Sequence, residues 1–199
     1  MIILGNDVFA STIAKTLVKN VEGFVTFYKD AALIVTDLGV EPFIPKQSDQ
    51  YVLGDLSVRT RRKYLSFISQ YVNVTAENFP NIVAPSVNTD CLAIIGYGNV
   101  ISHNVTIQEV SINNFNYFGT GAVVNSWSII GSHNVMREYI SIGYNCAVGD
   151  LNILDPKAII TDNISIGNSN IISHAECLFE PLHNNELFRS GIIEQIKCE

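Results

Sequence analysis

At 199 residues the chain has room for one domain or two small ones. Its 19 acidic against 12 basic side chains give a net charge of −7, which argues against nucleic acid as a partner. Four cysteines without a Cys-x-x-Cys spacing, no apolar run of about 18 residues and no signal-peptide pattern point away from disulfide scaffolds and membrane spans, towards a cytoplasmic protein.

Residues 1–4 form a short apolar run, closed by Gly5 and followed by a helical pattern through Ile13, Leu17 and Val18. Residues 21–28 read as a second strand and 31–40 hold a third apolar run, before a loop around Pro42, Pro45 and Lys46. A further short strand falls at 51–54. A helix at 57–71 carries Arg59, Arg61, Arg62 and Lys63, either a phosphate clamp or a solvated face. Strands alternating with helices predict a small parallel, Rossmann-like α/β domain over residues 1–78.

Beyond residue 78 the pattern changes. Stepping by six from Ile112 gives Phe118, Val124, Ile130, Met136, Ile142, Val148, Leu154, Ile160, Ile166, Ile172 and Leu178, all apolar. Upstream, Ile95, Ile101 and Ile107 keep the step, with Val83 two steps earlier and a polar Thr89 between. From Ile107 to Ile112 the step is five, so one residue is missing there. Such a hexapeptide period is the signature of a parallel β-helix, each short strand turning one apolar side chain inward. A β-sandwich would not hold one register over so long a stretch.

Asn99, Asn116, Asn134, Asn152 and Asn170 recur at every third hexapeptide once the slip is counted, each two residues before an anchor. With three hexapeptides per coil these amides stack at one corner, where they can bond up the stack as Asn ladders do. Gly96, Gly131, Gly149 and Gly167 follow their anchors directly; a backbone angle that only glycine adopts without cost is the expected reason. The solenoid is expected over residues 79–180, in about five coils. Residues 181–199 form a tail in which 186–197 read as a short C-terminal amphipathic helix, suited to cap an exposed solenoid end.

Among the four histidines, His103 and His174 follow anchors of one face by two residues but lie four coils apart, about 19 Å at the spacing of neighbouring strands. They cannot meet in one chain, and no metal is expected. His183 falls in a terminal loop. His133, seven residues beyond Ser126, is a candidate for chemistry near the next corner, against the plainer reading of an exposed corner side chain.

Three stretches carry a resemblance. Gly54-Asp55-Leu56-Ser57-Val58-Arg59 is similar to a Gly-Asp-Asn-x-x-Arg strand end. Phe79-Pro80-Asn81-Ile82-Val83-Ala84-Pro85-Ser86-Val87 is similar to an Ile-His-Pro-Ser-Ala lead-in. Ala122-Val123-Val124-Asn125-Ser126-Trp127-Ser128-Ile129-Ile130-Gly131 lies over an Ala-x-Ile-Glu-His-Asp-x-x-Ile-Gly block. In these pieces and in domain order the chain resembles the NeuD/PglD-like family of bacterial sugar acyltransferases.

That resemblance implies a left-handed β-helix assembled as a homotrimer, with acetyl-CoA in the groove between solenoids and no metal. It implies a nucleotide-linked sugar on the α/β domain, at Gly5, Asn6, Gly54, Asp55 and Arg59. Asn125, Trp127 and Gly143 would border the acyl-CoA groove. The implied activity is acyl transfer from acetyl-CoA to a nucleotide-linked amino sugar in surface-glycan biosynthesis. The chain departs from the family at the base itself. Ser126 stands at the position of the catalytic His and Trp127 at that of the acid beside it, and neither removes a proton near pH 7. This leaves His133 and the altered Ser126 as catalytic candidates. The alternative is a non-catalytic relative that binds a nucleotide sugar or a partner protein.

Overall fold

The structure, a computed structural model, describes residues 1–5, 13, 16–18, 20–28 and 31–196. The chain divides into two units, Met1–Ile82 and Val83–Glu199.

In the first unit, five described strands, β1 (Ile2–Leu4), β2 (Gly23–Tyr28), β3 (Ala31–Thr36), β4 (Gly39–Pro42) and β5 (Tyr51–Leu53), form one sheet in the order β4-β3-β2-β1-β5. The unbroken apolar runs of β1, an inner strand, and of β5, at the sheet edge, are buried throughout. β1 pairs in parallel with both β2 and β5. The sheet is nevertheless mixed, where a parallel one was expected. The 31–40 run folds back as two strands, with β3 antiparallel to β2 and β4 antiparallel to β3. Asp37 and Leu38 make the turn between them: the Leu38 N–H donates to Thr36 Oγ1 at 3.2 Å, and Gly39 takes a φ of 136°.

One helix, α1 (Val58–Ile68), follows β5. Ser57 caps it by accepting from the Thr60 N–H, and the buried Arg61, Tyr64 and Ile68 form its inner stripe. Most of the helix expected through Ile13, Leu17 and Val18 lies outside the described residues. At its end, the Leu17 and Val18 N–H groups both donate to the Ile13 carbonyl.

The second unit is a parallel β-solenoid of two-residue strands on three faces. The first face runs from Asn88–Thr89 to Cys177–Leu178, the second from Ile94–Ile95 to Ser165–Ile166, and the third includes Val100–Ile101 to Ile171–Ile172. Partners in adjacent coils stand three full hexapeptides apart in sequence, as in Ile142 with Ile160 and Leu154 with Ile172. They stand one residue closer wherever the coil includes residues 108–110, as in Ile95 with Ile112, Ile101 with Phe118 and Ile107 with Val124. The missing residue therefore shortens one corner and leaves the strand registers intact. The anchors from Ile101 to Leu178 are no more than 3% exposed and line one continuous core. Val83 does not join them; in the first coil it is 48% exposed.

The asparagine column forms a ladder, mostly of side chain to backbone. Oδ1 of Asn99, Asn116, Asn134, Asn152 and Asn170 each accepts the backbone N–H of the ladder residue in the next coil, at 2.7–2.9 Å. One amide–amide bond adds to it, from Asn134 Nδ2 to Asn116 Oδ1 at 3.1 Å. The last rung is Glu186, whose N–H donates to Asn170 and whose carboxylate accepts from the His183 N–H and from Gln195 Nε2.

The repeated glycines serve spacing rather than backbone angle. Gly96, Gly131, Gly149 and Gly167 are not among the residues with positive φ. A Cβ on Gly131 would stand 2.6 Å from the Gly149 carbonyl oxygen, and one on Gly149 would stand 2.7 Å from that of Gly167. Two residues later the backbone does enter the left-handed region, with ordinary side chains: His133 at 61°, Leu151 at 65° and Ser169 at 60°. That conformation costs roughly 1–2 kcal/mol for a residue with a Cβ. It is offset by a bond to the preceding coil, since each of these N–H groups donates to a carbonyl there, His133 to Asn114, Leu151 to Ser132 and Ser169 to Asp150.

The C-terminal helix expected over 186–197 is instead a hairpin. Glu186–Arg189 adds in parallel to Ile171–Ile172, and Ile192–Gln195 returns antiparallel to it. Ser190 and Gly191, at φ of 54° and 71°, supply the two positive angles of a tight hairpin turn. Phe188 continues the anchor column beyond Ile172 at 1% exposure, so the hairpin closes the end of the core.

Candidate functional site

In the first unit, Gly5, Gly54 and Asp55 stand at the carboxyl end of the parallel strands, where open α/β sheets receive ligands. The Gly5 N–H donates to the Val25 carbonyl and the Gly54 N–H to that of Leu4, both at 2.9 Å, so the two glycines extend adjacent strands side by side. Asp55 Oδ1 accepts the Ser57 N–H and shapes the approach to α1. Asn6 lies outside the described residues. Arg59 is exposed on α1, whereas Arg61 is fully buried and donates from Nη1 to the Leu53 and Asp55 carbonyls at 3.1 Å. Of the four basic side chains, Arg61 thus braces the loop itself, while Lys63 lies 4.2 Å over the Phe27 ring.

In the second unit, Asn125, Ser126 and Trp127 form the corner between the first and second faces, and Gly143 lies on the coil above. Asn125 Nδ2 donates to the Ile142 carbonyl at 2.8 Å, and the Ser128 hydroxyl donates to that of Gly143 at 2.9 Å. Trp127 has a φ of 64° and is 67% exposed. Two contacts reach down to the shortened corner. Ser126 Oγ donates to Gln108 Oε1 at 3.2 Å, and the Trp127 indole N–H donates to Glu109 Oε2 at 3.2 Å. Gln108 and Glu109 are not among the residues that the sequence motifs single out. Counting back one coil from Ser126 and Trp127 finds them, although the slip blurs that count.

His133 is not brought to this corner. It occupies the next one, between the second and third faces, with its ring stacked on Phe115 at 5.1 Å between centroids and 13° between planes. His103 and His174 lie at the third corner, separated in its column by Thr120, Glu138 and Pro156. His183 follows the last coil, its Nδ1 3.6 Å from Glu186 Oε1. Among the described residues, no group of three or more His, Cys, Asp or Glu is placed to hold a metal ion, and no helix is long and apolar enough to cross a membrane. Cys146 is buried behind the Ser126 corner, and burial pushes its thiol pKa up; Cys91 and Cys177 are exposed.

From Ile129, two residues past Trp127, a mainly apolar groove of about 480 Å³ opens on the second face, lined by Ile129, Ala147, Ser165, Leu182 and His183 among others.

No protein-family model matches this sequence, and no curated protein matches it. Solved structures share its fold. PerB from Caulobacter crescentus, in complex with CoA and GDP-perosamine, superposes with a TM-score of 0.68 and 17% identity over 97% of this chain and 96% of its own. A variant of GDP-perosamine N-acetyl transferase from the same organism, with the same ligands, gives 0.50 at 16% identity over 94% and 91%. The acetyltransferase domain of PglB from Neisseria gonorrhoeae, in complex with acetyl coenzyme A, gives 0.57 at 11% identity over 98% of each chain. At these identities the likeness is one of fold.

Proposed function

We propose that this protein is an acyl-CoA-dependent N-acyltransferase that acetylates a nucleotide-linked amino sugar in bacterial surface-glycan biosynthesis. The observation that carries the reading is the match of both units, over 97% of the chain, to a fold seen with CoA and GDP-perosamine bound. In this reading the solenoid is left-handed and the protein is a cytoplasmic homotrimer with acetyl-CoA along the groove between neighbouring solenoids. Residues 1–78 hold the nucleotide sugar, through Gly5, Asn6, Gly54, Asp55 and Arg59. Transfer takes place at the Ser126–Trp127 corner, with Asn125, Trp127 and Gly143 beside the thioester. The apolar groove beginning at Ile129 suits the pantetheine arm. An amine needs less help than a hydroxyl, and alignment on the thioester alone can supply about 7–11 kcal/mol in favourable cases.

Trp127 is the sole tryptophan, so its emission reports on this corner alone. Titration with acetyl-CoA is expected to quench or shift it saturably. Incubation with acetyl-CoA and nucleotide-linked amino sugars, GDP-perosamine included, is expected to release free thiol. A flat titration, no calorimetric heat and no thiol release would sink the enzyme. That result would leave the alternative, a non-catalytic relative, which the engaged side chains of Ser126 and Trp127 favour. Light scattering is expected to give three times 21.9 kDa. A strict monomer at micromolar concentration would remove the intersubunit groove.

A further inference from the structure

We propose that Glu109 is the general base of this corner and that the group it serves is an amine; the inference rests on the acyl transfer placed there above. Ser126 offers a hydroxyl, Gln108 an amide and Trp127 an indole that can only donate, so none of the three takes a proton near neutral pH. Among the described residues, Glu109 is the one ionisable side chain hydrogen-bonded to the side chain of Ser126 or Trp127. Its Oε2 is held by the indole N–H, and the Trp127 backbone N–H donates to its carbonyl at 2.6 Å. Its Oε1 makes no hydrogen bond among the described residues and is open to receive a proton. The half-buried side chain is thus fixed at one oxygen and free at the other.

The charge around it selects the acceptor. The column of this corner, residues 90–93, 108–110, 125–128, 143–146, 161–164 and 179–182, holds Asp90, Glu109, Asp162 and Glu180 and no lysine or arginine. Asp90 and Asp162 are engaged by the backbone N–H groups of Leu92 and Tyr144, and Glu180 stands four coils from Glu109, so Glu109 is the carboxylate of this column hydrogen-bonded to Trp127. A carboxylate with no cation beside it favours the approach of an ammonium group.

The ammonium loses one proton to solvent. The lone pair of the resulting amine then forms the C–N bond at the thioester carbonyl carbon, while the second proton passes from nitrogen to Glu109. The C–S bond breaks with its electron pair on sulfur, and the thiolate takes the proton from Glu109. Amide and CoA thiol are the products, with the carboxylate restored.

The test uses the full chain, acetyl-CoA and GDP-perosamine with other nucleotide-linked amino sugars. Glu109→Gln keeps an oxygen for the indole N–H and is expected to lower kcat by about 10²-fold. The KM for acetyl-CoA, the Trp127 emission and the melting temperature should stay as they were. Formate added to Glu109→Ala is expected to restore turnover. Full turnover in Glu109→Gln overturns the inference and leaves the acyltransferase standing. So does loss that formate does not restore. Absence of turnover in the unmodified protein removes the proposed function, and the inference with it.

Discussion

Ile142→Asp is expected to yield no soluble folded protein, whereas Ile159→Asp yields a protein that folds. Ile142 is fully buried between Val124 and Ile160 in the anchor column, while Ile159, on the next coil of the same face, points outward and is 44% exposed. Losing a buried Ile side chain removes about 1.5–3 kcal/mol of burial. An unpaired carboxylate in its place costs several kcal/mol more. Together these match much of the roughly 5–15 kcal/mol by which a typical domain is stable. The outward site loses only part of one side chain's burial and puts its charge in water. Recovery of both variants in the soluble fraction, with circular dichroism melts, checks the contrast. Soluble Ile142→Asp protein that melts like the parent would overturn the register.

The second large effect is expected at the ladder. Asn134→Ala removes the acceptor of the Asn152 N–H, 2.8 Å away in a fully buried column, and the donor to Asn116 Oδ1. Leaving a buried N–H without an acceptor costs about 1–3 kcal/mol. At roughly 2–4 °C per kcal/mol for a chain of this size, the melting temperature should fall by several degrees. Asn163→Ala is the control. That residue is exposed, and its side chain accepts only from Asn145 Nδ2, so its loss should cost less than about 1 kcal/mol. Equal melting shifts in the two variants would mean that the column is not a ladder.

The two expectations share one origin in the chain. A solenoid coil meets its neighbours one coil length away in sequence, so a packing requirement met on one coil recurs on the next and is written as a period. That is why the anchors, the Asn column and even the lost residue near Gln108 are legible in the order of residues. The glycines are legible as a period but not in their cause. A 2.6 Å approach between a Cβ on Gly131 and the carbonyl of the coil above is a distance between coils, and no local propensity encodes it.

The hexapeptide register, the inward set from Ile101 to Leu178 and the placing of Ser126 and Trp127 on one corner follow from the order of residues alone. Contacts between distant segments settled the rest. Residues 186–197 read as an amphipathic helix because Leu187, Phe188, Ile192 and Ile193 fit either period. Pairing with Ile171–Ile172 and the need to cover the open end of the core made them strands. The 31–40 run became two antiparallel strands because Thr36 and Gly39 close a turn within it. Arg61 rather than Arg59 reaches inward because α1 begins at its Ser57 cap, which sets the face that meets the sheet. Glu109 enters the candidate site for the same kind of reason: it stands one coil before Trp127 along the chain, and the coil spacing turns that separation into a hydrogen bond.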